Sequence, residues 1–493
     1  MSELRPRLTR RVARAALVAA GLAMLAACAS LPPPAPELAT PAAPAPRPED
    51  VSDATLGARE HPRLVAAFGG VHKQPKLETL LNEVVNELVP VSQRPDLRYQ
   101  VTILNSPTIN AFALPGGYLY VTRGLLALAS DKAELAAVLA HEMAHVTARH
   151  AAQREERART SSLASRVVSE IVQNPQIAQA AAASSRTTLA GFSRQQELEA
   201  DLIGLNTVAR AGYDPEGGTR FLVAMSRQAT LDNLDPRGGG RKNADFLSSH
   251  PSTPERIQKA AGLATSLAQS LRERRAGRDA YLEVLDGLLY GDDGPEGFIR
   301  GRRFVHAQLG LAFTAPEGFT LENSAKAVFG IGPGGEALRF DATTAPGEGP
   351  PVAFVSDGWI EGASVSDARP LIVNELPAAT ALAQVGEWTF RLGAIRSGET
   401  IYRFVLGSKA LTPPVDQRFL ETIRSFRRLD PNEAAEARPL RIRAVTVGPN
   451  DSMTTLAQRM AYDTAKLERF LVLNGLKPGQ PLKAGDKVKI VTD

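Results

Sequence analysis

The stretch His141-Glu142-Met143-Ala144-His145 decides how the chain folds and what chemistry it offers. It lies in a segment from Asp131 to Arg157 that contains no proline or glycine, which predicts one continuous helix. Because residues four apart share a helix face, both imidazoles can meet a single ion. Neutral imidazole suits zinc at about 2.0–2.1 Å, and Glu142 can accept a proton from water beside the metal. The alternative is a pair of surface histidines on an alanine-rich helix.

A third ligand is needed because two histidines do not complete a zinc site. Downstream, Glu197 and Asp201 lie four residues apart on one predicted helix face. One of them can bind the metal while the other orients a ligand imidazole, and the spacing alone does not choose between them. Glu199 faces another side of that helix, so we expect its side chain to be solvated. His150, nine residues after His141, also faces a different side of its helix and is expected to be exposed.

Four motifs in this order resemble the M48 family of zinc metallopeptidases. They are Asn110–Gly124, His141–His145, Ser193–Gly204 and His250–Arg256. The resemblance covers about residues 60–265 and implies a mainly helical, zincin-type (gluzincin) metalloprotease fold with one zinc ion per chain. The metal ligands that it implies are His141, His145 and Glu197. It also implies that Glu142 is the general base and that Asp201 orients a ligand from behind.

His250 precedes a helix start that the sequence marks clearly. Thr253 can cap the helix and Pro254 suits its first position, which fixes the loop that carries His250. We hypothesise that His250 reaches the metal site, where it blocks the open coordination position or polarises the substrate carbonyl. Arg256 would support this loop or the oxyanion. The alternative is a purely structural histidine, which is the commoner role of a lone histidine.

Two predicted strands, Tyr99 to Leu104 and Tyr118 to Thr122, flank a turn at Pro115-Gly116-Gly117. A strand that ends beside the metal helix can pair with an extended substrate through main-chain hydrogen bonds. The alternative is that its tyrosines only pack the core. Residues 159–190 separate the metal helix from its third ligand and are weakly patterned. We expect there either a lid or hairpin near a membrane, or a plain surface helix.

The first 27 residues carry five arginines and one glutamate, and an apolar run follows that ends in small residues. This order is typical of a secretory signal peptide, and Leu25-Ala26-Ala27-Cys28 resembles a bacterial lipobox. Such a signal places lipid on Cys28, the only cysteine of the chain, so an intrachain disulfide is excluded. Ala29 favours the outer membrane over the inner one. Residues 28–58 are rich in proline and alanine and predict a semi-rigid tether.

The formal net charge of +4 belongs entirely to this first segment. Since the remaining chain is neutral overall, no global basic field is left to attract nucleic acid. Residues 290–430 alternate short β-like runs with glycine and proline, which predicts an α+β domain whose role the sequence does not reveal.

Residues 438–493 predict a small strand–helix–helix–strand module that resembles LysM. The segments that carry this resemblance are Val445–Arg459, Phe470–Leu476 and Leu482–Ile490. The LysM family binds glycans that contain N-acetylglucosamine, so the resemblance implies peptidoglycan as a partner. The alternative is a degenerate module that only packs on the protease.

These patterns together predict a zinc endopeptidase, with its protease domain at residues 59–272, in the bacterial periplasm. Lipid on Cys28 would hold it at the inner leaflet of the outer membrane. The expected substrates are unfolded or misassembled envelope proteins. One alternative is a wall-binding scaffold or chaperone-like protein with a latent protease fold. A third reading is a peptidoglycan amidase, which would release wall fragments rather than peptides.

Overall fold

The structure is a computed structural model, and its described residues fall in one compact unit that spans Arg47–Asp493. The described ranges are 48–154, 192–234, 250, 253–324, 327–345, 349–357, 359–360, 362–462 and 464–493. The predicted signal peptide, Cys28 and the first part of the tether lie outside them, as does the segment 159–190. Within the described residues, no helix is long and apolar enough to cross a membrane.

The first part of the described chain is mainly helical, with one small sheet. Its helices are α1 (Pro48–Ala67), α2 (Pro75–Leu88), α3 (Arg123–Leu128), α4 (Lys132–Thr147), α5 (Arg194–Arg210), α6 (Glu216–Leu234), α7 (Pro254–Ser270) and α8 (Arg278–Leu285). Helix α2 buries one apolar face, as its spacing predicts. The residues of that face are Leu77, Leu80, Leu81, Val84, Val85 and Leu88.

The small sheet has the strand order β1-β3-β2, from β1 (Gln100–Leu104), β2 (Ala111–Leu114) and β3 (Tyr118–Thr122). Strands β1 and β3 are parallel, whereas β2 and β3 form an antiparallel hairpin. The predicted turn at Pro115-Gly116-Gly117 joins β3 to β2, a strand that we did not predict. Gly116 and Gly117 have φ of +86° and +84°, the left-handed region that glycine adopts without strain. The hairpin leaves β2 as an outer strand.

Helix α4 is shorter than the sequence predicts, because it ends at Thr147 rather than near Arg157. The break lies at Arg149, whose φ of +55° is left-handed and cannot continue a right-handed helix. Helical residues resume at His150. The absence of proline and glycine, on which the longer prediction rested, therefore did not exclude a break.

The region that follows is rich in strands. Its strands are β4 (Leu289–Tyr290), β5 (Phe298–Arg300), β6 (Arg303–His306), β7 (Leu311–Thr314), β8 (Thr320–Asn323), β9 (Val328–Ile331), β10 (Ala337–Thr344), β11 (Ser364–Val373), β12 (Leu376–Val385), β13 (Trp388–Ser397), β14 (Thr400–Ser408) and β15 (Arg427–Arg428). Strands β5 to β15 form an antiparallel seven-stranded sheet, β11-β12-β13-β14-β10-β9-β8, and a four-stranded sheet, β15-β7-β6-β5.

Three helices accompany these sheets: α9 (Pro351–Ser356), α10 (Pro413–Arg424) and α11 (Pro431–Glu436). Helix α10 lies close to the closing helix that the sequence predicts from about Val415 to Phe426. The two sheets and α10 share a core that is unusually aromatic, with Phe313, Phe340, Phe404, Phe419 and Phe426 all buried. This core contains no residue of the HExxH helix, so the strand-rich region has a hydrophobic core of its own.

The C-terminal residues follow the predicted order of strand, helix, helix and strand. These elements are β16 (Leu440–Thr446), α12 (Met453–Gln458), α13 (Lys466–Asn474) and β17 (Lys487–Thr492). Strands β16 and β17 pair in antiparallel fashion, and β4 extends their sheet. Phe470 and Ile490 belong to the same hydrophobic core as Leu77 of α2 and Leu139 of α4. The C-terminal elements are therefore packed into the helical region.

Candidate metal centre

Helix α4 carries the HExxH stretch into the interior of the helical region. Asp131 caps its first turn by accepting a hydrogen bond from the backbone N–H of Glu134, at 2.8 Å. His141, Glu142 and His145 are 6%, 1% and 4% exposed, so the motif does not lie on the surface. This burial excludes the alternative of two surface histidines.

Helix α5 packs closely against α4 and brings the predicted third ligand to the site. Ser193 caps α5 in a capping box with Gln196, which sets where the helix begins. At the crossing, a Cβ on Gly204 would lie 3.1 Å from the backbone nitrogen of His141. Gly204 therefore permits the close approach of α5 to α4, which places Glu197 beside the two histidines.

Four potential ligand atoms converge, all within 4.8 Å of one another and all on buried side chains. They belong to His141, His145, Glu197 and His250. The two histidine Nε2 atoms of α4 are 3.0 Å apart, and each lies 3.5 Å from an oxygen of Glu197. A tetrahedron with zinc–ligand bonds of about 2.0–2.1 Å has edges of roughly 3.3–3.4 Å. The spacing and the chemistry of these donors therefore fit a single zinc ion.

His250 lies inside this cluster, as hypothesised. Thr253 caps α7 with Pro254 at the first position, which fixes the chain just after His250. Its Nδ1 atom is 2.9 Å from Glu197 Oε1, and its Nε2 atom is 3.6 Å from Glu142 Oε1. With 1% of its surface exposed, His250 is enclosed in the cluster, where it contacts both Glu197 of α5 and Glu142 of α4.

Asp201 and Arg256 surround the ligands on the α5 side. Asp201 Oδ1 lies 3.0 Å from His141 Nδ1, so this carboxylate orients the ring from behind. Arg256 lies 2.5 Å from Glu197 Oε2 and 2.6 Å from Asp201 Oδ2, which joins the two carboxylates. Arg256 thus contacts the carboxylates of both Glu197 and Asp201, while its hypothesised support of the His250 loop or of the oxyanion stays a prediction. Glu197 lies on the Nε2 side of the His141 ring and Asp201 on its Nδ1 side.

The surroundings shift the pKa values of three side chains of the site. Burial alone would raise the pKa of Glu197, but hydrogen bonds from His141 and His250 hold it well below its ordinary value. Burial and the neighbouring histidines lower the pKa of His145, which keeps this ring neutral. Burial also raises the pKa of Glu142, as suits a carboxylate that must take and return a proton.

The prediction that His150 is exposed is wrong. The ring is fully buried, and its Nδ1 atom lies 2.9 Å from Nδ1 of His145. The left-handed residue Arg149 turns the chain back, so helical spacing no longer applies beyond Thr147. Glu199 is exposed, as expected, yet its carboxylate lies 3.5 Å from His150 Nε2. No signal in the sequence marks this reversal, because glycine is absent from the turn.

Phe192 is a second neighbour that the motifs did not reveal. Its ring stacks on His145 with centroids 3.9 Å apart and an angle of 22° between the planes. A hydrophobic wall beside a ligand limits the access of water to the metal. A lone phenylalanine directly before the helix-capping Ser193 carries no sequence pattern that could have identified it.

Comparison with known proteins agrees with this geometry. Residues 75–264 match the model of peptidase family M48. The mitochondrial metalloendopeptidase OMA1 of Schizosaccharomyces pombe is 33% identical over 180 residues, which cover 36% of this chain and 50% of that protein. The beta-barrel assembly-enhancing proteases of Yersinia pestis and Escherichia coli are 31% and 29% identical over 202 residues, 39% of this chain and 40% of each relative. The chain thus spans half or less of the length of these relatives.

The matched residues contain every side chain of the metal cluster. They include the HExxH stretch of α4, the acidic residues of α5 and the loop before α7. The resemblance that the four motifs carry is thereby confirmed. Residues 75–264 form a peptidase family M48 domain.

Proposed function

We propose that the chain is a zinc-dependent endopeptidase of the bacterial cell envelope. The observation that carries this proposal is the buried cluster of His141, His145 and Glu197, with Glu142 on the same helix. Family M48 peptidases use zinc, and these residues would hold it. When bound there, zinc supplies a Lewis acid that makes water more acidic and polarises a carbonyl.

In the proposed reaction, the chain's own residues transfer one proton. Glu142 takes the proton of the water that attacks the scissile carbonyl and gives it to the leaving amine. Its Oε1 atom is buried and makes no hydrogen bond among the described residues, which leaves it able to accept one from water. Asp201 holds the ring of His141, and Arg256 holds the carboxylates of Glu197 and Asp201. The ligands are thus positioned before substrate arrives.

Replacing Glu142 with Gln tests the assignment. The variant should bind zinc as the parent does, because Glu142 is not a proposed ligand, and should lose at least about 100-fold in peptide cleavage, the lower range for general acid–base catalysis. Zinc content and cleavage of an unfolded casein-like protein are measured together. Unchanged cleavage would sink the proposal.

We also propose that His250 occupies a position that substrate must take. It lies among the ligands, and a catalytic zinc site keeps one position open for water or substrate. His250 therefore either moves away during turnover or turns toward the substrate carbonyl. Its replacement by Ala should alter activity or zinc affinity, and a variant unchanged in both would eliminate this role.

Unfolded or misassembled envelope proteins are the substrates that we propose. Strand β2 is an outer strand beside α4, and an extended peptide can pair with such an edge without a sequence requirement. The bacterial relatives are named for enhancing β-barrel assembly, which supports a role in protein quality control. Comparing the proteins that accumulate in cells with parent or Glu142→Gln chain tests this choice.

The location that we propose is the periplasmic face of the outer membrane, with lipid on Cys28 and Pro/Ala-rich residues 28–58 as the tether. Support comes from the lipobox-like sequence. Metabolic labelling with a palmitate analogue should mark the parent chain and leave Cys28→Ser unlabelled. Equal labelling of both chains would contradict the anchor.

For residues 438–493 we propose a LysM-like module with peptidoglycan as its partner. The order of its elements supports this proposal. The hydrophobic core that it shares with α2 and α4 favours the alternative, a module that only packs on the protease. Co-sedimentation of the full chain with purified cell wall separates the two readings.

If the Glu142→Gln chain performed its cellular role in full, the scaffold or chaperone-like alternative would replace the protease.

A further inference from the structure

His150 and Glu199 lie behind the ligand His145, where no metal-site residue was predicted. The reversal at Arg149 places the His150 ring against His145, with ring centroids 4.9 Å apart and an angle of 71° between the planes. Gln196 of α5 donates a hydrogen bond to the backbone oxygen of His150, at 3.4 Å, which ties this turn to α5. His150 is therefore held in place both through its backbone oxygen and through the contact of its ring with His145.

The direction of the hydrogen bonds follows from the role of His145. Its Nε2 atom faces the other ligand atoms and lies 3.0 Å from Nε2 of His141. A neutral imidazole that binds metal through Nε2 carries its proton on Nδ1. That proton points to His150 Nδ1, 2.9 Å away, which must then accept the hydrogen bond. His150 consequently carries its own proton on Nε2, facing Glu199 Oε2 at 3.5 Å.

We propose that Glu199 and His150 form a positioning chain that fixes the tautomer and the ring orientation of His145. The proposal rests on the proposed metal site. Helix α5 then serves both histidine ligands, since Asp201 lies directly against His141 and Glu199 reaches His145 through His150. Glu197, between these two carboxylates in sequence, is itself the third ligand. Partners of this kind typically contribute 10–100-fold to metal affinity.

The test of these contacts is the zinc affinity of the full-length protein. It is measured by competition with a fluorescent chelator, without substrate. His150→Leu fills the space but accepts no hydrogen bond, so zinc should bind about 10–100-fold more weakly. His150→Asn keeps an acceptor near the position of Nδ1 and should recover most of the loss. Glu199→Ala, at an exposed position, should cost only a few-fold.

A double-variant comparison separates a connected chain from two independent effects. If Glu199 acts only through His150, Glu199→Ala should weaken zinc binding in the parent and add nothing in the His150→Leu chain. The visible spectrum of the cobalt-substituted protein gives an independent signature, because a displaced His145 changes the ligand field. His150→Asn should keep the parent spectrum and His150→Leu should not.

Three outcomes would overturn the proposal. They are parent-like zinc affinity in His150→Leu, an Asn variant as weak as the Leu variant, and fully additive losses for the two positions. Thermal unfolding of the metal-free chains accompanies each titration, so an unfolded variant is recognised and the Glu199→Ala result then decides. Because no peptide is cleaved in these assays, an inactive but zinc-binding parent would contradict the proposed function and leave this proposal standing.

Discussion

At the scale of single residues, His141 carries the most informative charge of the site. Burial and Arg256 both lower its pKa, but hydrogen bonds to Asp201 and Glu197 outweigh them and raise it to about 9. The metal-free chain therefore holds a proton on His141 at neutral pH. Glu197 is already ionised and His145 already neutral, because their pKa values are lowered. Among these three ligands, zinc must displace a proton only from His141.

We expect zinc binding at pH 7 to release about one proton, so affinity should rise about tenfold per pH unit and level off near pH 9. The free energy of unfolding of the metal-free chain should instead fall as the pH rises. Because the pKa of His141 in the folded chain lies above its ordinary 6.5, the stabilisation that its proton contributes is complete below pH 6.5 and is lost as the pH rises through about 9. Calorimetry in buffers of different ionisation enthalpy counts the protons. A heat of binding that is independent of buffer would contradict the assignment.

The sequence predicts the chemistry of the site better than its surroundings. His141, His145 and Glu197 follow from helical spacing and from a family resemblance, and the structure brings them together. His150 escapes prediction because its position depends on one left-handed residue, and arginine gives no hint of that conformation. Which residues lie on one helix face can be deduced from spacing only as far as the helix extends.

At the scale of elements, the contact between α4 and α5 depends on Gly204. A Cβ there would meet three backbone atoms of α4 at 3.1–3.3 Å, and backbone cannot move aside as a flexible side chain can. Alanine at an ordinary helix position is about 1 kcal/mol better than glycine. The crowded contact opposes this gain, since overpacking costs about 1–3 kcal/mol.

Gly204→Ala should therefore lower the free energy of unfolding by about 1 kcal/mol and weaken zinc binding, because α5 carries Glu197 away from α4. Gly262 of α7 is the matched control, since a Cβ there meets nothing within 4 Å. Gly262→Ala should raise the free energy of unfolding by about 0.5–1 kcal/mol and leave zinc binding unchanged. Denaturant titrations measure both. Stabilisation by both alanines would show that the helix contact is not tight.

Element boundaries illustrate why sequence patterns reach only part of the fold. Helices α2 and α10 and the four C-terminal elements lie close to their predicted places, because each has an apolar face or a clear turn at its ends. Strand β2 escaped prediction because it is four residues long and pairs through its backbone with β3. Its pairing is a tertiary contact that alternation cannot reveal.

At the scale of the whole molecule, Lys489 connects the C-terminal elements to the protease region. Its side chain is fully buried, and Nζ donates hydrogen bonds to the backbone oxygens of Ala127, Leu128 and Ala129 at 2.7, 3.1 and 2.6 Å. These carbonyls end α3, directly before the helix that carries the metal ligands. Burial lowers the pKa of Lys489 to about 7, and its Nζ donor satisfies carbonyls that an α-helix leaves without partners at its C-terminus.

Lys489→Met should lower the free energy of unfolding by about 2–4 kcal/mol, because three buried carbonyls lose their hydrogen-bond donor. The matched control is Lys487→Met in the same strand. Lys487 pairs with Glu283 at the surface, where an ion pair contributes about 0–1 kcal/mol. Equal losses for the two variants in denaturant unfolding would show that β17 is not held through Lys489.

The hydrogen bonds of Lys489 also set an order of events during biosynthesis. The donor and the Ala127 carbonyl are 362 positions apart in the chain, so the motif of α4 leaves the ribosome long before β17 exists. Until β17 arrives, the helical core lacks the side chains of Val488 and Ile490, and the carbonyls that end α3 lack the Lys489 donor. Metal capture, followed in time on newly made protein, should coincide with completion of β17 rather than with the appearance of α5.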